Sequence, residues 1–286
     1  MTKPDPATLL SRRFSSKRAF ITGAASGLGL SLARRLAQDG WTLGVLDVDR
    51  QHLDQAVTAL LQAGAARVLA YPGDVAAHGF VADSIADFVR VAGGLDLLVN
   101  NAGVAVAGAV EATPVEDWQW IVGINLLGVV WGCRAALPVM KQQRGGVIFN
   151  IASSAGFAAA PQMSAYNVTK AGVISLSETL VGELAGSGIQ VSCAMPGFFR
   201  THLLDHMHAP PEESRLAHQL MDKSGHDADE AAAALLGAVA AGDVYVIWPP
   251  EYRWAWRLKR WFPRWFLKRV QSFRDAQARK AGRRPG

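Results

Sequence analysis

Arg18-Ala19-Phe20-Ile21-Thr22-Gly23-Ala24-Ala25-Ser26-Gly27-Leu28-Gly29 is the stretch on which the fold turns. A short β-rich apolar run leads into a turn spaced Gly-x-x-x-Gly-x-Gly, and a helix opens around Leu28. Glycines let the backbone bend sharply and approach a charged group, and the free N–H groups of a helix N-terminus favour an anion such as a pyrophosphate. The spacing differs from the commoner dinucleotide fingerprint, but strand, turn and helix follow in the order the mechanism requires. Outward from this unit, apolar β-rich runs alternate with segments of helical spacing, the pattern of a parallel sheet covered on both faces. Strands are expected near 18–22, 41–47, 67–71, 95–99, 146–151, 189–194 and 243–247. Asp227, Asp229 and Glu230 suit a helix start, and Gly242 suits its stop. Right-handed crossovers make the fold a single α/β domain with a doubly wound, seven-stranded parallel sheet of Rossmann type, its crevice at the strands' C-terminal edge. That domain spans 18–250. Residues 1–17 read as a loose arm, 198–226 as a long substrate loop with some helix, and 251–286 as a basic amphipathic extension.

A chain of 286 residues, half of them hydrophobic, can bury a sizeable core. Cys133 and Cys193 stand far apart in apolar surroundings with no metal-ligand spacing, so they read as buried free thiols. The N-terminal 17 residues are polar and contain proline, without the apolar stretch of a secretion signal, so a reducing cytoplasm is the expected location. Charge is unevenly spread. Residues 1–250 carry 17 Lys and Arg against 22 Asp and Glu, whereas 251–286 carry 12 against 2. No apolar run is read as reaching the roughly 18 residues that span a bilayer, Ala231–Ala241 being the longest.

Asp47 closes the second expected strand, where a carboxylate accepts hydrogen bonds from the adenosine ribose hydroxyls of NAD and repels a 2′-phosphate. The glycine turn holds no Lys or Arg to offset that repulsion, so NAD is preferred; Arg50, nearby, leaves NADP as the lesser alternative. Asp74, past the third strand, either pairs with the adenine amino group or is an exposed loop carboxylate. Tyr166 and Lys170 stand four apart in Ser164-Ala165-Tyr166-Asn167-Val168-Thr169-Lys170, which on a helix puts both on one face. A cation beside a phenol favours its ionised form, and a phenol tuned towards neutrality exchanges a proton with an alcohol or a carbonyl.

These motifs, in this order, resemble the short-chain dehydrogenase/reductase family from about Arg18 to Ile247. The resemblance rests on Thr22 to Gly29, Asp74, Asn100-Asn101-Ala102-Gly103, Asn125, Ser153, Tyr166 with Lys170, and Pro196-Gly197. It implies an alcohol–carbonyl oxidoreductase with Tyr166 as acid/base. Lys170 would lower the tyrosine's pKa and hold the nicotinamide ribose, Ser153 would hold the substrate oxygen, and Asn125 would position a water in the proton path. A buried amide capping a helix irregularity is the other reading of Asn125. The implied cofactor contacts are Thr22, Gly23, Ser26, Gly27, Leu28, Gly29, Asp47, Asp74, Val75, Asn101, Ala102, Gly103, Tyr166, Lys170, Pro196, Gly197 and Thr201, with Asn101 mainly structural.

The resemblance also puts Ser153, Phe157, Met163, Phe198, Leu203, Leu204 and Met207 at the substrate pocket, whose apolar side chains suit a lipophilic secondary alcohol or its ketone. It implies a homodimer or homotetramer. No metal is expected, although His202 and His206 have a helical ligand spacing. A non-catalytic NAD-binding sensor or scaffold is the competing class, against which the complete Asn125, Ser153, Tyr166 and Lys170 set argues. Trp254, Leu258, Trp261, Phe262 and Trp265 follow helical spacing between basic residues, with Pro263 expected to kink or restart the helix. This segment, 251–270, either contacts a membrane surface, which would make the protein peripheral at the inner membrane face, or packs on the domain or another subunit, where it could cover the substrate entrance. Nucleic acid is not an expected partner, since the rest of the chain is acidic.

Overall fold

The computed structural model describes residues 6–280. Its strands are β1 (Arg18–Thr22), β2 (Thr42–Asp47), β3 (Arg67–Pro72), β4 (Leu97–Asn100), β5 (Gly146–Ile151), β6 (Ile189–Pro196) and β7 (Tyr245–Trp248). All pairings are parallel, in the order β3-β2-β1-β4-β5-β6-β7. The order reverses between β1 and β4, and there the strand ends part to leave a crevice. Every position of β4 and of β5 is buried, as a sheet covered on both faces requires.

The helices in chain order are α1 (Pro6–Arg13), α2 (Gly27–Gln38), α3 (Arg50–Gln62), α4 (His78–Ala92) and α5 (Val115–Val122). A π turn, Gly123–Leu127, joins α5 to α6 (Gly128–Gln143); α7 (Ala155–Ala158), α8 (Ser164–Glu183) and a 3-10 turn, His202–Leu204, follow. The chain continues through α9 (Pro211–Asp222), α10 (Ala228–Ala240), α11 (Tyr252–Trp261) and α12 (Pro263–Lys280). Alternation along the strands divides the core: Ala19 and Ile21 pack with Leu32, Leu36 and Leu235 of α2 and α10, while Phe20 packs with Ile85, Phe88 and Met140 of α4 and α6. Asp227 caps α10 by accepting from Glu230 N at 2.9 Å, as its position suggests. Leu95 and Asp96 precede β4 rather than starting it, and Asp96 instead grips Arg18 at 2.7 and 3.0 Å.

Two expectations need correction, on the arm and on the longest apolar run, and the helix expected within 198–226 takes a definite form. Residues 6–13 are no loose arm: α1 buries Ala7 and Leu10 in the core, and Ser11 accepts from the indole N–H of Trp41 at 3.0 Å. Residues 1–5 of the expected arm and 281–286 of the extension lie outside the described residues. The 198–226 segment holds a full helix, α9, opened by Pro211 with Glu212 and Glu213 in its first turn. Lastly, Val115–Gln143 forms a helical run of 29 residues, long and apolar enough to cross a membrane by length and composition. Here it serves the domain core, packing Val129, Cys133, Ala136 and Met140 under the sheet.

Candidate active site

The crevice begins at the glycine turn. Gly23 and Gly27 have φ of +64° and +52°, a left-handed conformation that side chains resist. Ser26 precedes α2 in extended conformation without capping it by its side chain, so the helix's first N–H groups face the crevice. A Cβ at Gly27 would stand 2.7 Å from the Thr201 hydroxyl, and one at Gly29 would overlap the Gly23 carbonyl oxygen. The turn is braced from β4: Asn101 Nδ2 donates to the carbonyls of Thr22 and Gly23 at 3.0 and 2.9 Å. Thr22 Oγ1 accepts from the N–H groups of Asn101 and Ala102 at 3.0 and 3.1 Å. Asp47, at the end of β2, accepts from Ala25 N at 2.9 Å while lining the crevice, and Asp74 lines it while accepting from Ala76 N at 2.8 Å. This cradle fits a dinucleotide: helix N–H groups for the pyrophosphate, backbone with no Cβ in its way, and a carboxylate at the ribose position.

Tyr166 and Lys170, one turn apart on α8, are both buried, and the ammonium lies 5.7 Å from the phenol ring centre. Lys170 Nζ donates to the Ile151 carbonyl at the end of β5 at 2.9 Å. Ser153, two residues further, lies beside the Tyr166 hydroxyl, and its own hydroxyl accepts from Ala155 N at 3.1 Å. Among protein groups alone, burial pushes the phenol up to about 12, opposed by the neighbouring Ser153 hydroxyl, and burial pulls the Lys170 ammonium down to about 8. Among the protein groups, loss of water sets the direction for the phenol, before any charge on a bound cofactor adds to it. Asn125 sits in the π turn, fully buried, with its Oδ1 accepting from Val104 N at 2.8 Å and its Nδ2 donating to Val104 O at 2.9 Å. It caps an irregularity, and it also borders the site: a Cβ at Gly103 would meet Asn125 Oδ1 at 3.3 Å and Lys170 Nζ at 3.4 Å.

One cavity of about 470 Å³ runs from Asp47 past Gly27, Ser153 and Tyr166 to an apolar end at Met163, Leu203 and Met207. Ser26, Leu28, Val75, Ala102, Gly103, Pro196, Gly197, Phe198 and Thr201 also line it.

Residues 17–211 match the model of the short chain dehydrogenase family. The chain belongs to that family. It is 39% identical over 189 residues to the 2-(R)-hydroxypropyl-CoM dehydrogenase of Xanthobacter autotrophicus, covering 65% of this chain and 76% of that protein. It is 31% identical over 258 residues to a CLA biosynthesis dehydrogenase/reductase of Lactiplantibacillus plantarum, covering 84% and 90%. A Burkholderia phymatum short chain dehydrogenase/reductase solved in complex with NAD superposes with a TM-score of 0.81 at 29% identity, covering 94% of this chain and 96% of that one.

As a short chain dehydrogenase the chain is an oxidoreductase acting on CH–OH groups. Not every expected site residue reaches its crevice. Among cofactor residues, Thr22 and Gly29 do not line it; Thr22 latches β1 to β4, and Gly29 lets α2 lie against the turn. Phe157 is a core residue, because the short α7 turns it inward against the sheet, and Ala155 and Ala158 line the cavity in its place. His202 and His206 are no helical pair: the 3-10 turn ends at Leu204, and His202 bonds Asp205 at 2.8 Å. The residues of the outer wall were not singled out by the sequence, although the tail packing on the domain over the substrate entrance is one of its two readings. Glu213, Leu216, Leu220 and Met221 come from α9, while Tyr252, Val270, Phe273 and Arg274 come from the tail. Tyr252 packs on Gly197 so closely that a Cβ there would run into its ring, and Arg274 pairs with Glu213. The tail thus completes the site instead of hanging from it.

Gly29→Ala is expected to lower the melting temperature by several degrees and weaken dinucleotide binding at least about tenfold, since overpacking costs roughly 1–3 kcal/mol. Calorimetric titration and a thermal melt check it; unchanged values would mean that α2 and the turn can part without cost.

Proposed function

We propose that the protein interconverts a lipophilic secondary alcohol and its ketone with NAD(H). The observation that carries this reading is that Tyr166, with Ser153 beside it and Lys170 flanking it, opens into the cavity that joins the Asp47 cradle to an apolar end. Bound NAD supplies the hydride acceptor. Ser153 holds the substrate oxygen and Tyr166 takes its proton in oxidation or returns it in reduction. Lys170 supports the proton path and the nicotinamide ribose, and Asn125, fixed by Val104, stands where it can order a water beside Lys170. Gly23, Gly27 and the α2 N-terminus would receive the pyrophosphate, Thr201 would hold the carboxamide, and Asp74 would hold the adenine. Exposed Leu127 and Val168, on the π turn and α8, support a homodimer or homotetramer built on those helices.

NADH formation should appear with lipophilic secondary alcohols and exceed that with sugars or charged hydroxy acids. Binding of NAD with no turnover across such a panel would move the protein to the sensor class. Asp47 sets the cofactor preference because its carboxylate repels a 2′-phosphate. In Asp47→Ser the ratio of kcat/KM for NAD over NADP should fall at least about tenfold, the worth of about 1.4 kcal/mol. A ratio equal to that of the unaltered protein would remove Asp47 from this role.

A further inference from the structure

The two tail helices have contrasting sides. On α11, Tyr252, Ala255 and Trp256 pack on the core, whereas Trp254 and Trp261 are 61% and 65% exposed. Seven residues are two helical turns, so these two indoles share one side of the helix. On α12, Phe266 is buried and Val270 and Arg274, at successive four-residue steps, line the cavity. Trp265 and Leu267 are exposed, as is Phe262 between the helices. Phe273 does both: it lines the cavity and is 56% exposed, which sets it at the mouth. A monomeric soluble surface rarely gathers so many large apolar side chains in one short segment.

The charge says what covers them. Residues 251–286 hold 12 Lys and Arg against 2 Asp and Glu. Arg257 lies over the Trp254 ring at 5.5 Å and Arg269 over the Trp265 ring at 5.8 Å, and Arg264 and Lys268 are exposed beside them. Ring and guanidinium together present an apolar body and a cationic tip, the pairing that suits a headgroup layer over acyl chains. A second copy meeting this face across a two-fold axis would set one basic surface against another. The tail seated on the acidic domain of a neighbour is the other arrangement, and the oligomeric state of the variant tests it.

We propose that the exposed aromatic and basic side of α11 and α12 docks the protein on an anionic lipid bilayer, with the cavity mouth at Phe273 beside the headgroups, so that substrate exchanges directly with the membrane. The exchange rests on the lipophilic-substrate reading above; the docking does not.

The test uses the full chain and a Trp254→Ser, Trp261→Ser, Trp265→Ser variant, which spares Tyr252, Trp256 and Phe266. Vesicles of phosphatidylcholine alone and of phosphatidylcholine with phosphatidylglycerol are compared by co-sedimentation. Binding to the anionic vesicles should exceed that to neutral ones at least about tenfold, weaken in high salt, and fall at least about tenfold in the variant. Both proteins should oxidise a water-soluble secondary alcohol at equal rates, while only the unaltered protein should gain rate on an alcohol dissolved in the anionic vesicles. Absence of binding to anionic vesicles, or equal binding by both proteins, overturns the docking. A variant that differs instead by dissociating in lipid-free solution would assign the face to another copy of the chain. Docking without the rate gain would overturn the exchange alone, and failure of the soluble alcohol would count against the catalytic reading and leave the docking result standing.

Discussion

Tyr166→Phe is expected to lower kcat by about 10²–10⁴-fold, the usual worth of a positioned acid/base, with the dissociation constant for NAD within a few-fold of its original value. The phenylalanine keeps the ring that fills the wall beside Lys170 and removes only the hydroxyl that lies beside Ser153. One lost hydrogen bond costs about 1 kcal/mol, so the fold should survive, as a thermal melt would show. The pH profile separates this cause from a general loss of fit. Oxidation needs the phenol as a base, and burial holds it towards about 12 among protein groups, so oxidation by the unaltered protein should climb with pH across the neutral and alkaline range. The residual rate of the phenylalanine variant should lack that climb. A variant retaining most of its rate, or the same slope, would shift the proton chemistry to another group.

How much of this was legible in the sequence depends on how local the cause is. Gly23 and Gly27 declare themselves because their backbone angles are refused by other residues, and Tyr166 and Lys170 because a single helical turn fixes their relation. The sheet is readable because strands buried on both faces are written as continuous apolar runs. What spacing cannot state is which side of an amphipathic helix meets the domain. Trp254 and Trp256 look alike in the sequence, yet one faces solvent and the other packs near Tyr245, with ring centres 5.1 Å apart. Arg274 and Glu213 close the pocket from 61 positions apart, a relation no local pattern carries. The family resemblance alone puts Phe157 at the pocket, and α7 is too short for periodicity to fix its direction instead. The start of α9 was a readable signal, Pro211 followed by two acids, hidden by the surrounding prolines and histidines.

Lys170→Met should lose most of the activity and yet make the cofactor-free protein more stable at pH 7. The ammonium is buried with the Ile151 carbonyl as its hydrogen-bond acceptor, and burial lowers its pKa from 10.5 to about 8. Below pH 8 the folded chain must carry that charge out of water. Between 8 and 10.5 the unfolded chain binds the proton and the folded chain does not, so the stability of the unaltered protein rises with pH across that window. At about 1.4 kcal/mol per tenfold in proton affinity, the penalty below the window is about 3 kcal/mol. Methionine fills a similar volume without the charge, and forfeits about 1 kcal/mol of hydrogen bonding to Ile151, for a net gain of about 2 kcal/mol at pH 7. The Tyr166 phenol, raised in the folded state, lowers stability above pH 10, but it does so in both proteins and cancels from their difference. Urea denaturation at pH 7 and at pH 10 therefore has a definite signature: the methionine variant ahead at the lower pH, with the gap shrinking at the higher. A variant less stable at both pH values by the same margin would mean that Lys170 contributes packing and hydrogen bonding more than its buried charge costs.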